Sequence, residues 1–293
     1  MRRNATGPAA MLLAAALLSA CGPDGGTAPA PTRTLQVGAT AYWGGDVIDL
    51  QSAYETRQPD GRPAVGVLVA ATLAGPATLA SVRPHYFLET HGQPLAELTG
   101  PAPWGENTAT VSEGGLLEAR DLGGAGQQLH LEDLSLVITA PGKVRAVLPL
   151  VPGAPGAEPL APVPLHASAD ILATGRYRLA LHAAELRGDC TLNVGGGNLP
   201  GRPVSALDAG RHTVTVQFDV PFGTTGDGLA LRLTLPDGRT LAPTGPLNLM
   251  ATGEGIPGSG NLAAWFDFDG PTAGRYTLTA TDAGAAPAAI TLE

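Results

Sequence analysis

At 293 residues the chain is long enough for two domains with cores of their own, at roughly 100 to 200 residues each. Forty Gly and 27 Pro, 4% aromatics and a 44% hydrophobic fraction in short alternating runs suit many short strands joined by turns and exclude a disordered chain. The formal charge of −9, with no basic run or aromatic-interleaved basic stripe, argues against a nucleic-acid partner.

The first predicted element is a leader. Met1-Arg2-Arg3 is a short cationic region, and Ala9 to Ala20 (AAMLLAAALLSA) is an apolar run of twelve. A span would need about twenty apolar residues, so this is the hydrophobic region of a signal peptide and not a transmembrane helix. It ends in Leu18-Ser19-Ala20-Cys21, which resembles the lipobox of bacterial lipoprotein precursors. That resemblance implies a diacylglyceryl group on the Cys21 thiol, cleavage before Cys21 and acylation of the new amino terminus. An ordinary signal peptide followed by a chance Cys is the alternative. Gly22 to Arg33 (GPDGGTAPAPTR) lacks apolar periodicity and reads as a flexible tether, about 40 Å at full stretch. Gly22 is not the Asp that retains such proteins at an inner membrane, so the outer membrane or cell surface is the favoured location. Loss of Arg2 and Arg3 with the leader takes the charge from −9 to −11, so attachment to an anionic membrane requires a covalent anchor.

From Thr34 onward period-2 alternation dominates, the mark of strands with one buried face. Tyr177, Leu179 and Leu181 alternate with Arg178 and Ala180, and Val214, Val216, Phe218 and Val220 alternate with Thr213, Thr215, Gln217 and Asp219. Leu229, Leu231, Leu233 and Leu235 repeat the pattern. Pro59-Asp60-Gly61 and Pro236-Asp237-Gly238 lie between such runs and supply Asp-Gly turns. No helix-period apolar stretch follows the leader. The expected fold is all-β: two antiparallel β-sandwich domains, to which the resemblances described below add a jelly-roll or Ig-like type.

The alternation fails over PLVPGAPGAEPLAPVP, where Pro recurs every two to four residues, as an interdomain linker or a long edge crossover would require. The predicted organisation is therefore residues 1–20 signal peptide, 21–33 acylated Cys and tether, 34–148 first domain, 149–164 linker and 165–293 second domain. The second domain holds an echo: Gly175-Arg176-Tyr177 and Gly274-Arg275-Tyr276 each enter a strand through an inward Tyr whose hydroxyl can reach backbone at the domain edge. Shared strand grammar and gene-level repetition both account for it. With Cys21 acylated, Cys190 has no intrachain partner, and the phase Cys190, Leu192, Val194 turns its thiol toward a core.

The stretch from Ala169 to Leu249, with a GRYRL strand, an adjacent TLNV strand, LDAGRHTVTVQFDV, a Leu-alternating strand and a PDG turn, resembles PA14-type and related jelly-roll carbohydrate-binding modules. The resemblance implies a glycan-binding fold. Sugar- and calcium-binding members carry adjacent Asp residues followed by Gly ahead of the second strand, where this chain reads Arg187-Gly188-Asp189-Cys190 with one acid. The region of Tyr276 is similar to the closing strands of bacterial immunoglobulin-like domains, which implies a sandwich.

Motif chemistry is sparse. No Gly-x-Ser-x-Gly, His-Glu-x-x-His, Cys-x-x-Cys, phosphate-loop or dinucleotide fingerprint occurs. His85 and His91 would stand about 20 Å apart on a straight strand, too far to share an ion unless the segment turns. The best metal candidates are Asp267 and Asp269, which share a strand face about 6 to 7 Å apart, together with Asp282. Such carboxylates could bridge Ca²⁺; equally, Phe266 and Phe268 could supply the buried face and leave the acids solvated. Trp104, flanked by Pro and Gly in GPAPWGEN, is the candidate platform for a sugar ring, whereas Trp43 and Trp265 read as core anchors.

These features lead to an expected lipid-anchored envelope protein with no required cofactor, acting as a non-catalytic binding module for surface polysaccharide or envelope protein. The alternatives are a structural subunit of a membrane-anchored assembly and, on convergence of dispersed acids or His, an extracytoplasmic hydrolase or metal-dependent redox enzyme.

Overall fold

The computed structural model of the protein describes residues 31–72, 84–100, 112–120, 122–123, 128–192, 204–221, 227–245, 247–250 and 259–293. Over these residues the chain is all-β and forms two clusters of antiparallel sheets.

The first half contributes β1 (Arg33–Trp43), β2 (Asp46–Arg57), β3 (Pro63–Thr72), β4 (His85–Thr90), β5 (Gln93–Glu97), β6 (Ser112–Ala119), β7 (Leu134–Thr139) and β8 (Ala146–Pro149). They form two four-stranded sheets, in the orders β1-β2-β3-β6 and β5-β4-β7-β8. Alternate residues of both, among them Ile48, Leu50, Val65, Val67, Val69, Leu88, Leu136, Ile138 and Leu148, meet in one core. β1 begins at Arg33, and the Thr32 amide already donates to the Glu55 carbonyl at 2.8 Å, so ordered strand takes up the last residues of the predicted tether.

The second half contributes β9 (Val163–Pro164), β10 (Ile171–Thr174), β11 (Tyr177–Arg187), β12 (Cys190–Leu192), β13 (Val204–Ala206), β14 (Arg211–Pro221), β15 (Leu229–Thr234), β16 (Thr240–Leu241), β17 (Asn248–Met250), β18 (Ser259–Asp269), β19 (Tyr276–Asp282) and β20 (Ala288–Leu292). One sheet runs β10-β11-β14-β18-β17 with β9 on β11, another runs β16-β15-β19-β20, and β12 and β13 form a two-stranded ribbon. The predicted apolar phases are the buried ones: Val214, Val216, Phe218 and Val220 of β14 and Leu229, Leu231 and Leu233 of β15 join Phe266, Phe268, Tyr276 and Leu278 in a second core. Leu181 is half-buried, because the β11 to β14 register shifts between Leu181 and Ala183.

Both halves use the same turn. In Gln58-Pro59-Asp60-Gly61-Arg62 the Gly61 amide donates to the Gln58 carbonyl and the Gln58 amide to the Arg62 carbonyl, each at 2.9 Å. In Leu235-Pro236-Asp237-Gly238-Arg239 the equivalent bonds are 2.9 and 2.8 Å. Gly61 and Gly238 sit at φ 83° and 88°, so each loop is a three-residue hairpin closing on a left-handed glycine. In each, Arg Nε donates to the Asp carboxylate, at 2.6 and 2.7 Å.

The two tyrosines of the internal echo do reach backbone. Tyr276 donates its hydroxyl to the Thr272 carbonyl four residues upstream, and Tyr177 donates to the Asp227 carbonyl, both at 2.6 Å. The strands they open lie in different sheets.

The Pro-rich stretch is hydrogen-bonded on both sides. Val147 of β8 pairs with Glu158, the Tyr42 amide of β1 donates to the Pro159 carbonyl at 2.8 Å, and Val163 and Pro164 pair with Leu186 and Glu185. Residues 158–159 therefore bridge the edges of the two first-half sheets. Farther on, Ala167 pairs with Leu292 at the edge of the β20 sheet. Pro can occupy such positions because an edge strand does not need every amide.

Candidate functional site

On the outer face of the β14-β18 pair a small group of polar side chains meets. β14 and β18 pair Thr213 with Asp267 and Thr215 with Trp265, and the neighbours Val214 and Phe266 point into the second core. An outer face would ordinarily be wet, yet Thr213, Thr215 and Trp265 are buried. The β12–β13 ribbon covers them: Cys190 packs on Trp265, and the Thr191 hydroxyl donates to the Asp267 carboxylate at 2.6 Å. The Thr213 hydroxyl donates to the same carboxylate, and the Asp267 amide donates to Thr244 Oγ1 at 2.9 Å.

The three predicted calcium ligands have separate surroundings. Asp267 is held by the two threonine hydroxyls. Asp269 is exposed at 76% of its side chain and takes a 2.9 Å bond from Arg239 Nη1, which ties the β15–β16 turn to the end of β18. That guanidinium holds the Asp269 carboxyl below the usual carboxylate range. Asp282 lies in the other sheet opposite Leu229, buried, accepting the Arg176 amide at 3.0 Å and so fixing the β10–β11 turn. Among the described residues no group of three or more His, Cys, Asp or Glu comes together. Phe266 and Phe268 supply the buried face of β18.

Asp189, the lone acid of the Arg187-Gly188-Asp189-Cys190 stretch, is fully buried. Its carboxylate accepts Arg187 Nε at 2.9 Å and Nη2 at 3.1 Å, and the Gly45 amide from the β1–β2 hairpin tip at 3.1 Å. Burial opposes the Arg187 charge, but the bonds to Asp189 outweigh it and hold the guanidinium above its ordinary pKa. Burial, with the neighbouring Asp189 charge, pushes the Cys190 thiol well up, which disfavours the nucleophilic thiolate. Cys190 is thus a packing residue, as its phase predicted.

His85 and His91 stand at opposite ends of β4, His85 bonded to Glu97 at 2.9 Å and His91 to Thr90 at 3.0 Å, while Glu89 takes Arg145 at 2.5 Å. Trp43 is a core anchor whose indole N–H donates to the Val144 carbonyl at 2.9 Å. Cys21 and Trp104 lie outside the described residues. Sequence reasoning missed the buried role of Asp189 and the hydroxyl pair around Asp267. The Arg-x-Asp spacing was the available signal for the first, since residues two apart on a strand share a face. No protein-family model matches the chain, and no curated protein matches it in sequence.

Proposed function

We propose that the protein is a bacterial envelope lipoprotein, held to a membrane through an acylated Cys21, whose two domains act as a non-catalytic binding module for surface polysaccharide or envelope protein. The observation that carries the reading is the leader itself: a cationic start, an apolar run too short to span a bilayer, and Leu18-Ser19-Ala20-Cys21. Two or three acyl chains, at about 0.8 kcal/mol per buried CH₂, give the stable attachment that a body of charge −11 would otherwise lack. We read each sheet pair as a β-sandwich, the second of jelly-roll or Ig-like type; the bond from the Tyr276 hydroxyl to the carbonyl four residues upstream is the kind of corner that such sandwiches use.

Binding is favoured over catalysis because the reactive groups singled out by sequence have structural partners. Cys190 is buried on Trp265, Asp189 is consumed by Arg187 and Gly45, and Asp267, Asp269 and Asp282 each hold a turn, a ribbon or a neighbouring strand.

The test is retention of the detergent-extracted full chain on purified cell-wall polysaccharide and on surface-layer material. Saturable retention on either supports a binding module. Co-purification with one protein at fixed stoichiometry and no retention would replace it with the structural-subunit reading.

A further inference from the structure

Two domains joined by a Pro-rich stretch ordinarily move relative to each other unless a substantial apolar interface prevents it. Here one segment belongs to both halves. Toward the second half, the β12–β13 ribbon packs Cys190 on Trp265 and binds Asp267 through Thr191. Toward the first half, Ala206 and Leu207, at the end of the same ribbon, are buried in the first core with Trp43 and Val144. Backbone bonds run across the junction: Gly44 amide to Asp189 carbonyl at 3.2 Å, Val144 amide to Leu207 carbonyl at 3.0 Å and Ala209 amide to Gly142 carbonyl at 3.1 Å. Lys143, the only lysine in the chain, pairs with Asp208 at 2.7 Å beside them.

We propose that this ribbon bolts the two sheet clusters into one cooperative unit, with Asp189 as the pin. The carboxylate is fully buried and bonded from both sides, by Arg187 of the second half and by the Gly45 amide of the first. Its carbonyl takes the Gly44 amide from the first half and the Leu207 amide from the ribbon. Parting the halves strips one donor from a buried charge and exposes Ala206 and Leu207 to water, so opening the junction costs more than bending a linker. The consequence is presentation: the second half is held at a set attitude to β1, the first strand of the first half.

The test is urea unfolding of the full chain in mild detergent, followed peptide by peptide by hydrogen–deuterium exchange. Peptides from residues 33–72 and 259–293 should lose protection at one shared midpoint. Tyr276→Phe, which removes a bond wholly inside the second half, should lower the midpoint of both sets together. Asp189→Ala and Asp189→Asn should split them into two midpoints and raise exchange in residues 42–46 at least tenfold. Separate midpoints in the unaltered protein, or a Tyr276→Phe shift confined to residues 165–293, would overturn the proposal, and this second readout decides the matter even if the Asp189 variants fail to fold. A single midpoint in folded Asp189→Ala would overturn the assignment of Asp189.

Discussion

The two halves are built from the same parts and completed differently. Each has antiparallel sheets whose alternate aliphatic residues meet in a core, and one Pro-Asp-Gly-Arg hairpin. Among the described residues the buried members of the second core run from Leu172 to Leu292, with Leu165 and Ala167 packed against them. The first takes Ala206 and Leu207 from beyond the Pro-rich stretch, and residues 158–159 of that stretch bridge its two sheets. The first core is therefore completed by residues that lie beyond the change in composition.

This difference is open to direct attack. The largest effect is expected from cutting the chain: residues 1–164 alone should show no cooperative unfolding by circular dichroism, whereas residues 165–293 alone should unfold cooperatively. Cooperative folding of 1–164 would mean that Ala206 and Leu207 are incidental. Next comes Asp189→Ala, which leaves Arg187 short of its main partner at a buried junction and should cost about 3 to 5 kcal/mol in urea titrations. The hairpins give a matched pair. Gly61→Ala and Gly238→Ala each force Ala into a left-handed conformation and should cost about 1 to 2 kcal/mol, equally in the two halves. Unequal costs would show that the repeated turn is not doing the same job twice. The smallest effects belong to the exposed clips. Arg239→Ala should lower thermal stability only slightly through loss of its pairs with Asp237 and Asp269, and added salt should shrink the effect.

How much of this could be read from sequence follows from range. The phases of β14 and β15 were legible because burial on one face imprints a two-residue repeat over six or more positions. The Pro-Asp-Gly turns were legible because their chemistry is local, and so was the inward tyrosine at each Gly-Arg-Tyr. The ribbon was not. Its strands are three residues each, too short to carry a period, and what they touch lies far off in sequence: Asp267 is 76 residues from Thr191 and Gly45 is 144 from Asp189. The acids of β18 show the same limit. Their spacing correctly put Asp267 and Asp269 on one strand, but the donors that occupy them, Thr191, Thr213 and Arg239, come from three other segments that no local pattern links. In the Pro-rich stretch the edge pairing was hidden for another reason, since scarcity of amides removes strand character without preventing its carbonyls from accepting bonds at a sheet edge.

The most direct test of the central claim is metabolic labelling with an alkyne analogue of palmitate in a bacterial host, followed by mass analysis of the amino-terminal peptide. The expected result is label on the unaltered chain, a mature terminus at Cys21 carrying a diacylglyceryl thioether, and loss of both in Cys21→Ser. An unlabelled chain, or one cut elsewhere and released without lipid, would contradict it.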